Sequence, residues 1–159
     1  MRRIEHELNH QAGRSPAVAR LRSIPGVGAR TAEAVAAFID DPHRFRDARA
    51  VGRYFGLVPG QDQSGDRNRP GHITREGPAV VRQLLAEATW QALRRSPTVR
   101  AYFERVRRDD PQRKKIALVA TAHYLVRVMW ALVKRGTDWE EGLTPADEPK
   151  GVVPAVAVT

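Results

Sequence analysis

The stretch from Leu21 to Val35, LRSIPGVGARTAEAV, constrains the fold of this chain more than any other. Leu21 and Ile24 are apolar at a helical interval, Pro25 and Gly26 break that helix, and Gly28 precedes a run of helical composition from Ala29 to Ile39. The pattern predicts a helix, a tight hairpin and a second helix. Glycine at 26 and 28 permits positive φ and leaves no Cβ between the backbone and a ligand. The amides of Gly26, Gly28 and the first turn of the second helix are then able to face an anion, which the positive end of the helix dipole also favours. An ordinary Pro-Gly corner is the alternative reading. Arg30 in the first turn weighs against it.

Charge points the same way. A net charge of +9 on 159 residues and a pI near 10.9 make a surface that attracts polyanions and releases them as salt rises. Among the 27 Lys and Arg residues, only Lys114, Lys115, Lys134 and Lys150 are Lys. Guanidinium groups pair with phosphate through two parallel hydrogen bonds, so the bias suits nucleic acid, although a GC-rich genome produces the same excess. The absence of Cys excludes disulfides, thiolate metal sites and cysteine nucleophiles, and fits an intracellular, cytoplasmic protein. Met1 to Pro16 has no apolar run that would serve as a secretory signal. The run Ile116 to Val133 is apolar but contains Thr121, His123 and Arg127, which predicts a core helix and no membrane span.

The rest of the chain reads as helix, so the expected fold class is all-α, with five to seven helices around the C-terminal one. Arg3 to His10 is a short charged helix, and Asp40, Asp41 and Pro42 end the hairpin unit. Asp47 to Phe55 is a compact helix with Val51, Tyr54 and Phe55 inward. Gly56 to Gly77 lacks a helical period and reads as a long loop or irregular hairpin. Pro78 to Arg95 is helical, with Val81, Leu84, Leu85 and Ala88 on one stripe. Ser96 and Pro97 restart the chain as N-cap and first helical residue, and Val99, Tyr102, Phe103 and Val106 form the next buried face. The long helix runs from near Arg113 to near Gly136. Trp90, Trp130 and Trp139 are expected as core anchors; His123, Arg127 and Lys134 share a side that would suit a wet or phosphate-facing stripe, with core packing the expected role for most of that helix. The domain plan is a connecting helix at 1–15, a helical domain at 16–140 with the hairpin unit at 17–39 and the loop at 56–77, and a disordered tail at 141–159.

Residues 6 to 10, HELNH, fit HExxH, in which two His one helical turn apart bind zinc and the Glu activates water. The motif lies on a helix with little apolar surface, without an evident third ligand or a strand to cover it. A pair of exposed histidines is the preferred reading, and no metal site is assigned. In the loop, Ser64 has no neighbouring His or Lys that spacing nominates as a base, so from the residues alone it is a polar turn serine. Asp62 and Asp66 read as solvated loop acids.

Leu21 to Val35, with Ala32 where two helices pack closely, resembles the helix-hairpin-helix family, which binds DNA or RNA through the sugar-phosphate backbone. A wider resemblance covers about Leu21 to Trp139. The order IPGVG, RF, GLVP, QxxSG, RxGHIT, a helix with an Arg and paired leucines, then VRAYFERVR and KKIALVATAHYLVRVMWALV, is similar to the C-terminal domain of one large class of insertion-sequence transposases. In that class an N-terminal RuvC-like domain carries four acidic metal ligands and the C-terminal domain carries a serine nucleophile. The family works as an RNA-guided recombinase.

The resemblance implies a DNA-binding, serine-bearing domain acting in transposition by phosphoryl transfer, with Ser64 as the nucleophile. Arg67, Arg69 or Arg75 would stabilise charge on the phosphorus, and Gly26, Gly28, Arg30 and Gly65 would join them in holding DNA. Its partners would be DNA, a structured guide RNA, and either further copies of the chain or a companion chain bearing the metal domain, at the bacterial nucleoid and with no membrane. The acidic domain is absent from this sequence, so no cofactor is expected within it, and Mg²⁺ is expected only with that domain. The alternative is a catalytically inert helix-hairpin-helix module, a transposase remnant.

Overall fold

The computed structural model describes residues 15–62, 69–73 and 77–142. Helix α1 (Pro16–Arg22) begins at Ser15, whose hydroxyl faces the Val18 amide, with Pro16 in the first turn where its missing N–H costs nothing. Helix α2 (Ala29–Ile39) buries Thr31, Ala32, Val35 and Ile39, one stripe at helical spacing. It stops at Asp40, which takes φ 53°, and Asp41 then caps a 3₁₀ turn at Pro42–Arg44 by accepting the His43 amide at 2.8 Å. Helix α3 (Ala48–Tyr54) is capped by Asp47, which accepts the Ala50 amide at 2.8 Å.

The long loop contains a two-stranded antiparallel ribbon, β1 (Pro59–Asp62) with β2 (Arg69–Ile73), irregular between Pro59 and Gln61. This is the irregular hairpin form of the two shapes expected there. It corrects the reading of the chain as free of strands. Pro and Gly fill the strands, which keeps the ribbon short and its ladder incomplete. The domain is otherwise all-α.

Helix α4 (Ala79–Arg95) and helix α5 (Pro97–Arg107) share Ser96, which ends one and caps the other by accepting the Val99 amide at 3.2 Å. A second 3₁₀ turn at Pro111–Arg113 leads into α6 (Lys114–Arg135), which closes on Gly136 at φ 70°. The span Pro111–Arg135 is long and apolar enough to cross a bilayer, yet 67% of its most apolar window is buried by other parts of the fold. It is the core helix. Helices α1, α3, α4 and α5 all pack on it, and Leu21, Ile24, Phe55, Leu85, Val99, Leu125, Met129 and Trp130 are enclosed together. The Trp130 indole donates to the Pro42 carbonyl at 2.8 Å, tying α6 to the turn after α2.

Three expectations about side chains need correction. Tyr54 is turned outward against Phe45 with centroids 5.3 Å apart, because Val51 and Phe55 already fill the inner face of α3. Trp90 is 37% exposed with the Lys114 ammonium 5.2 Å over its ring, and so is no core anchor. Glu141, placed by sequence in the tail, is bound to the domain. Its carboxylate accepts from the Ser96 hydroxyl at 2.9 Å, the Thr98 amide at 3.1 Å and the Trp139 indole at 3.2 Å. HELNH and the helix expected around it lie outside the described residues.

Candidate nucleic-acid interface

The hairpin between α1 and α2 is closed by short backbone bonds, Ser23 N–H to Arg20 O at 3.1 Å and Val27 N–H to Ile24 O at 3.1 Å. Ile24 and Val27 point into the core and hold the turn to the domain. The two glycines divide the work. Gly26 takes φ +93°, and a Cβ there would stand 2.6 Å from the Gln91 carbonyl carbon and 2.8 Å from the Ala92 Cα. It is therefore needed for close packing of the hairpin on the backbone of α4.

Gly28 has φ −82° and ψ 170°, an extended conformation open to any residue, which corrects the expectation of positive φ at this position. A Cβ at Gly28 would meet nothing within 4 Å. It is exposed and stands as the N-cap of α2 with no side chain over the helix end. The first-turn amides of α2, which have no intrahelical acceptors, open beside it. Arg30 is exposed in that same turn. Gly28, the α2 amides and Arg30 thus bring backbone donors and positive charge together at one helix end, with open space over Gly28.

Arg44 secures the opposite end of α2. Its guanidinium donates to the Ile39 carbonyl at 3.1 Å and the Phe38 carbonyl at 2.5 Å, closing the C-terminal end of α2. It also lies 4.6 Å over Phe45 and 4.7 Å over Tyr54. Sequence reasoning gave Arg44 no role; the only signal was an Arg-Phe pair one residue after a helix-ending Asp-Pro.

The base of the serine loop is fixed. A Cβ at Gly77 would lie 2.7 Å from the Phe55 carbonyl carbon, so the residue that ends the loop packs on the backbone that begins it. Arg82 donates to the Gly77 carbonyl at 2.5 Å. Beyond this base, Asp62 pairs with Arg69 in the ribbon register. Ser64, Gly65, Arg67 and Arg75 lie outside the described residues, and only the backbone position of Arg69 is described.

Core packing takes the place of a wet stripe on α6. Lys134 is exposed, but Arg127 is buried and His123 is turned against α3, where Gly52 leaves just enough room for its ring. Burial pushes the His123 pKa down, the nearby Arg127 charge pushes the same way, and together they bring it to about 4. Its Nε2 is buried and has no hydrogen-bond partner among the described residues. No group of three or more His, Cys, Asp or Glu side chains among the described residues is placed to hold a metal ion, so no metal step is assigned to them.

A family model described as "Transposase IS116/IS110/IS902 family" matches residues 18–104, from α1 through the hairpin and the loop into α5. The chain is 30% identical over 142 residues to a "Probable family 20 transposase" of Pseudomonas aeruginosa, covering 88% of this chain and 42% of that protein. It is 32% identical over 139 residues to the "Transposase for insertion sequence element IS1111A" of Coxiella burnetii, covering 82% and 36%. A "Pilin gene-inverting protein" of Moraxella bovis is 26% identical over 137 residues, covering 85% and 40%. The chain thus spans less than half the length of these relatives. The family match takes in more than half of the chain and the whole hairpin and loop, and this chain belongs to the IS116/IS110/IS902 family of transposases.

Proposed function

We propose that this chain is the DNA-binding, serine-bearing part of a transposase and acts in DNA transposition by phosphoryl transfer. The observation that carries the reading is the coincidence of an uncapped, sterically open helix end at Gly28 with a family match that spans it and the serine loop. The α2 amides and Arg30 hold one backbone phosphate without reading bases. Ser64 Oγ attacks another. An Oγ–P ester forms, one P–O bond of the DNA breaks, and the freed sugar oxygen takes up a proton. Attack by a hydroxyl of the receiving DNA end then restores Ser64 and leaves the number of phosphodiesters unchanged. Gly65, Arg67, Arg69 and Arg75 belong to the same loop, whose guanidiniums supply positive charge for the crowded phosphate.

Any Mg²⁺ chemistry in this scheme belongs to the acidic domain that the family resemblance implies, and these residues supply the serine and the grip on DNA. A structured guide RNA suits the Arg-rich surface as a second polyanion. The site of action is the bacterial nucleoid.

The test is incubation with DNA carrying the cognate element ends, with and without a full-length relative, followed by denaturing electrophoresis. A covalent protein–DNA adduct that disappears in Ser64→Ala supports the nucleophile. Salt-sensitive binding without any adduct under either condition assigns the chain instead as an inert backbone-binding module.

A further inference from the structure

A cavity of about 310 Å³ opens between the Pro42–Arg44 turn and the last turns of α6, lined by His43, Trp130, Ala131, Lys134 and Arg135. Its lining carries two permanent cations and no carboxylate. Neither Lys134 nor Arg135 takes part in any ion pair found among the described residues. The Lys134 ammonium is held 4.5 Å over the Trp130 ring, and the Trp130 indole donates to the Pro42 carbonyl at 2.8 Å. One buried indole therefore sets both walls. The nearest acid in sequence on the turn side, Asp41, is engaged with the His43 amide.

Positive charge without an ion-pair partner on a concave wall focuses field and draws an anion. The donor set suits a phosphodiester. A guanidinium can take two oxygens side by side, an ammonium adds a point charge, and an imidazole adds a ring N–H. Both cations also complement the dipole at the end of α6, a role that needs no ligand. Location adds a second argument. Gly136, which closes α6, abuts the Arg20 guanidinium, 3.5 Å from the position of a Cβ. Arg20 lies in the last turn of α1, directly before the hairpin. The cavity thus adjoins the hairpin unit through a basic side chain.

We propose that this cavity is a second phosphate site, taking a backbone phosphate of the nucleic acid that the hairpin holds at Gly28 and Arg30. The inference rests on the nucleic-acid reading given above. It makes His43, Lys134 and Arg135 binding residues and gives the chain two separated contacts on one strand or duplex.

The experiment measures binding of a 20-base-pair DNA duplex and of a single-stranded RNA of equal length by fluorescence anisotropy across a salt series. Three proteins are compared with the wild type: Lys134→Gln with Arg135→Gln, the exposed control pair Arg94→Gln with Arg95→Gln, and Arg30→Gln. Loss of about one phosphate from the salt slope and about tenfold in affinity in the cavity pair, with a clearly smaller loss in the control pair, is expected. The probe that shows the loss identifies the strand type seated there. A titration with inorganic phosphate, followed by the Trp130 indole resonance, should shift the wild type and leave the cavity pair unmoved. Equal losses in the two pairs, or none in a cavity pair that melts like wild type, overturn the cavity. A wild type that binds neither probe at low salt overturns the parent reading instead.

Discussion

Gly52 and His123 are packed so closely that the ring of one occupies the space a side chain would need on the other. This contact joins the middle of α6 to α3 and fixes the start of the serine loop relative to the core. Gly52→Ala should cost about 1–3 kcal/mol in unfolding by denaturant, the usual range for overpacking. Combined with His123→Ala, which empties the space, the penalty of Gly52→Ala should largely vanish. Additive losses in that double-mutant cycle would show that the two residues do not share the contact.

His123 also predicts a pH dependence. Burial holds its folded pKa at about 4, below the ordinary value of 6.5. Below 6.5 the unfolded chain takes up a proton that the folded chain refuses. Stability is therefore full above that value, falls as the pH drops towards 4, and has lost about 3 kcal/mol by the end of the window. Urea unfolding at pH 7, 5.5 and 4.5 measures the slope, and His123→Gln should flatten it.

The two hairpin glycines should respond in opposite ways. Gly26→Ala must place a Cβ against the α4 backbone at positive φ, and should lower stability by about 2–4 kcal/mol. Gly28→Ser has room, and its extended backbone suits an N-cap, so it should raise stability by a few tenths of a kcal/mol. The new hydroxyl would occupy the first-turn amides, and DNA affinity should fall even as the melting temperature rises. Unchanged affinity in a stabilised Gly28→Ser protein would remove the α2 end from the binding surface.

Glu141 predicts an acid-sensitive clasp. Partial burial works to raise its carboxyl pKa, but hydrogen bonds from Thr98, Ser96 and Trp139 outweigh it and hold the group below its ordinary value. A depressed carboxyl contributes its stability above the unfolded pKa and loses it as pH falls through the folded one. Glu141→Gln should cost about 0.5–1 kcal/mol at neutral pH, as loss of a helix cap does, and nothing at strongly acid pH. Faster amide exchange at Thr98 and Trp139 would be the local sign of release.

Helix boundaries were legible because the chain announces them. Ser96-Pro97, Asp41-Pro42 and Asp110-Pro111 each combine a capping oxygen with a residue that starts a turn; Ser96 caps as expected, and Asp41 and Asp110 cap the turns they open. Periodicity located the core of α6 for the same local reason. What stayed hidden depends on partners far along the chain. Nothing between Leu21 and Val35 says that Gly26 is demanded by Gln91 and Ala92, or that Gly28 is left free. Tyr54 and Trp90 fit an apolar stripe equally well turned in or out, and neighbouring Phe55 and Leu93 take the buried places. Arg127 reads as a surface cation until the helices around it are assembled. The role proposed for Ser64 rests on family likeness, since no local spacing distinguishes a nucleophile from a turn serine.

The contact of Gly77 with the Tyr54–Phe55 backbone has a consequence for how such a domain can change over time. With the two ends of the loop clamped by the helices, the chain between them is an insert whose closure is settled before its own sequence matters. Lengthening such an insert costs only about 0.6 kcal/mol for each doubling. The helical frame therefore stays intact when the number of residues between the ends changes, so loop length can vary without refolding the domain.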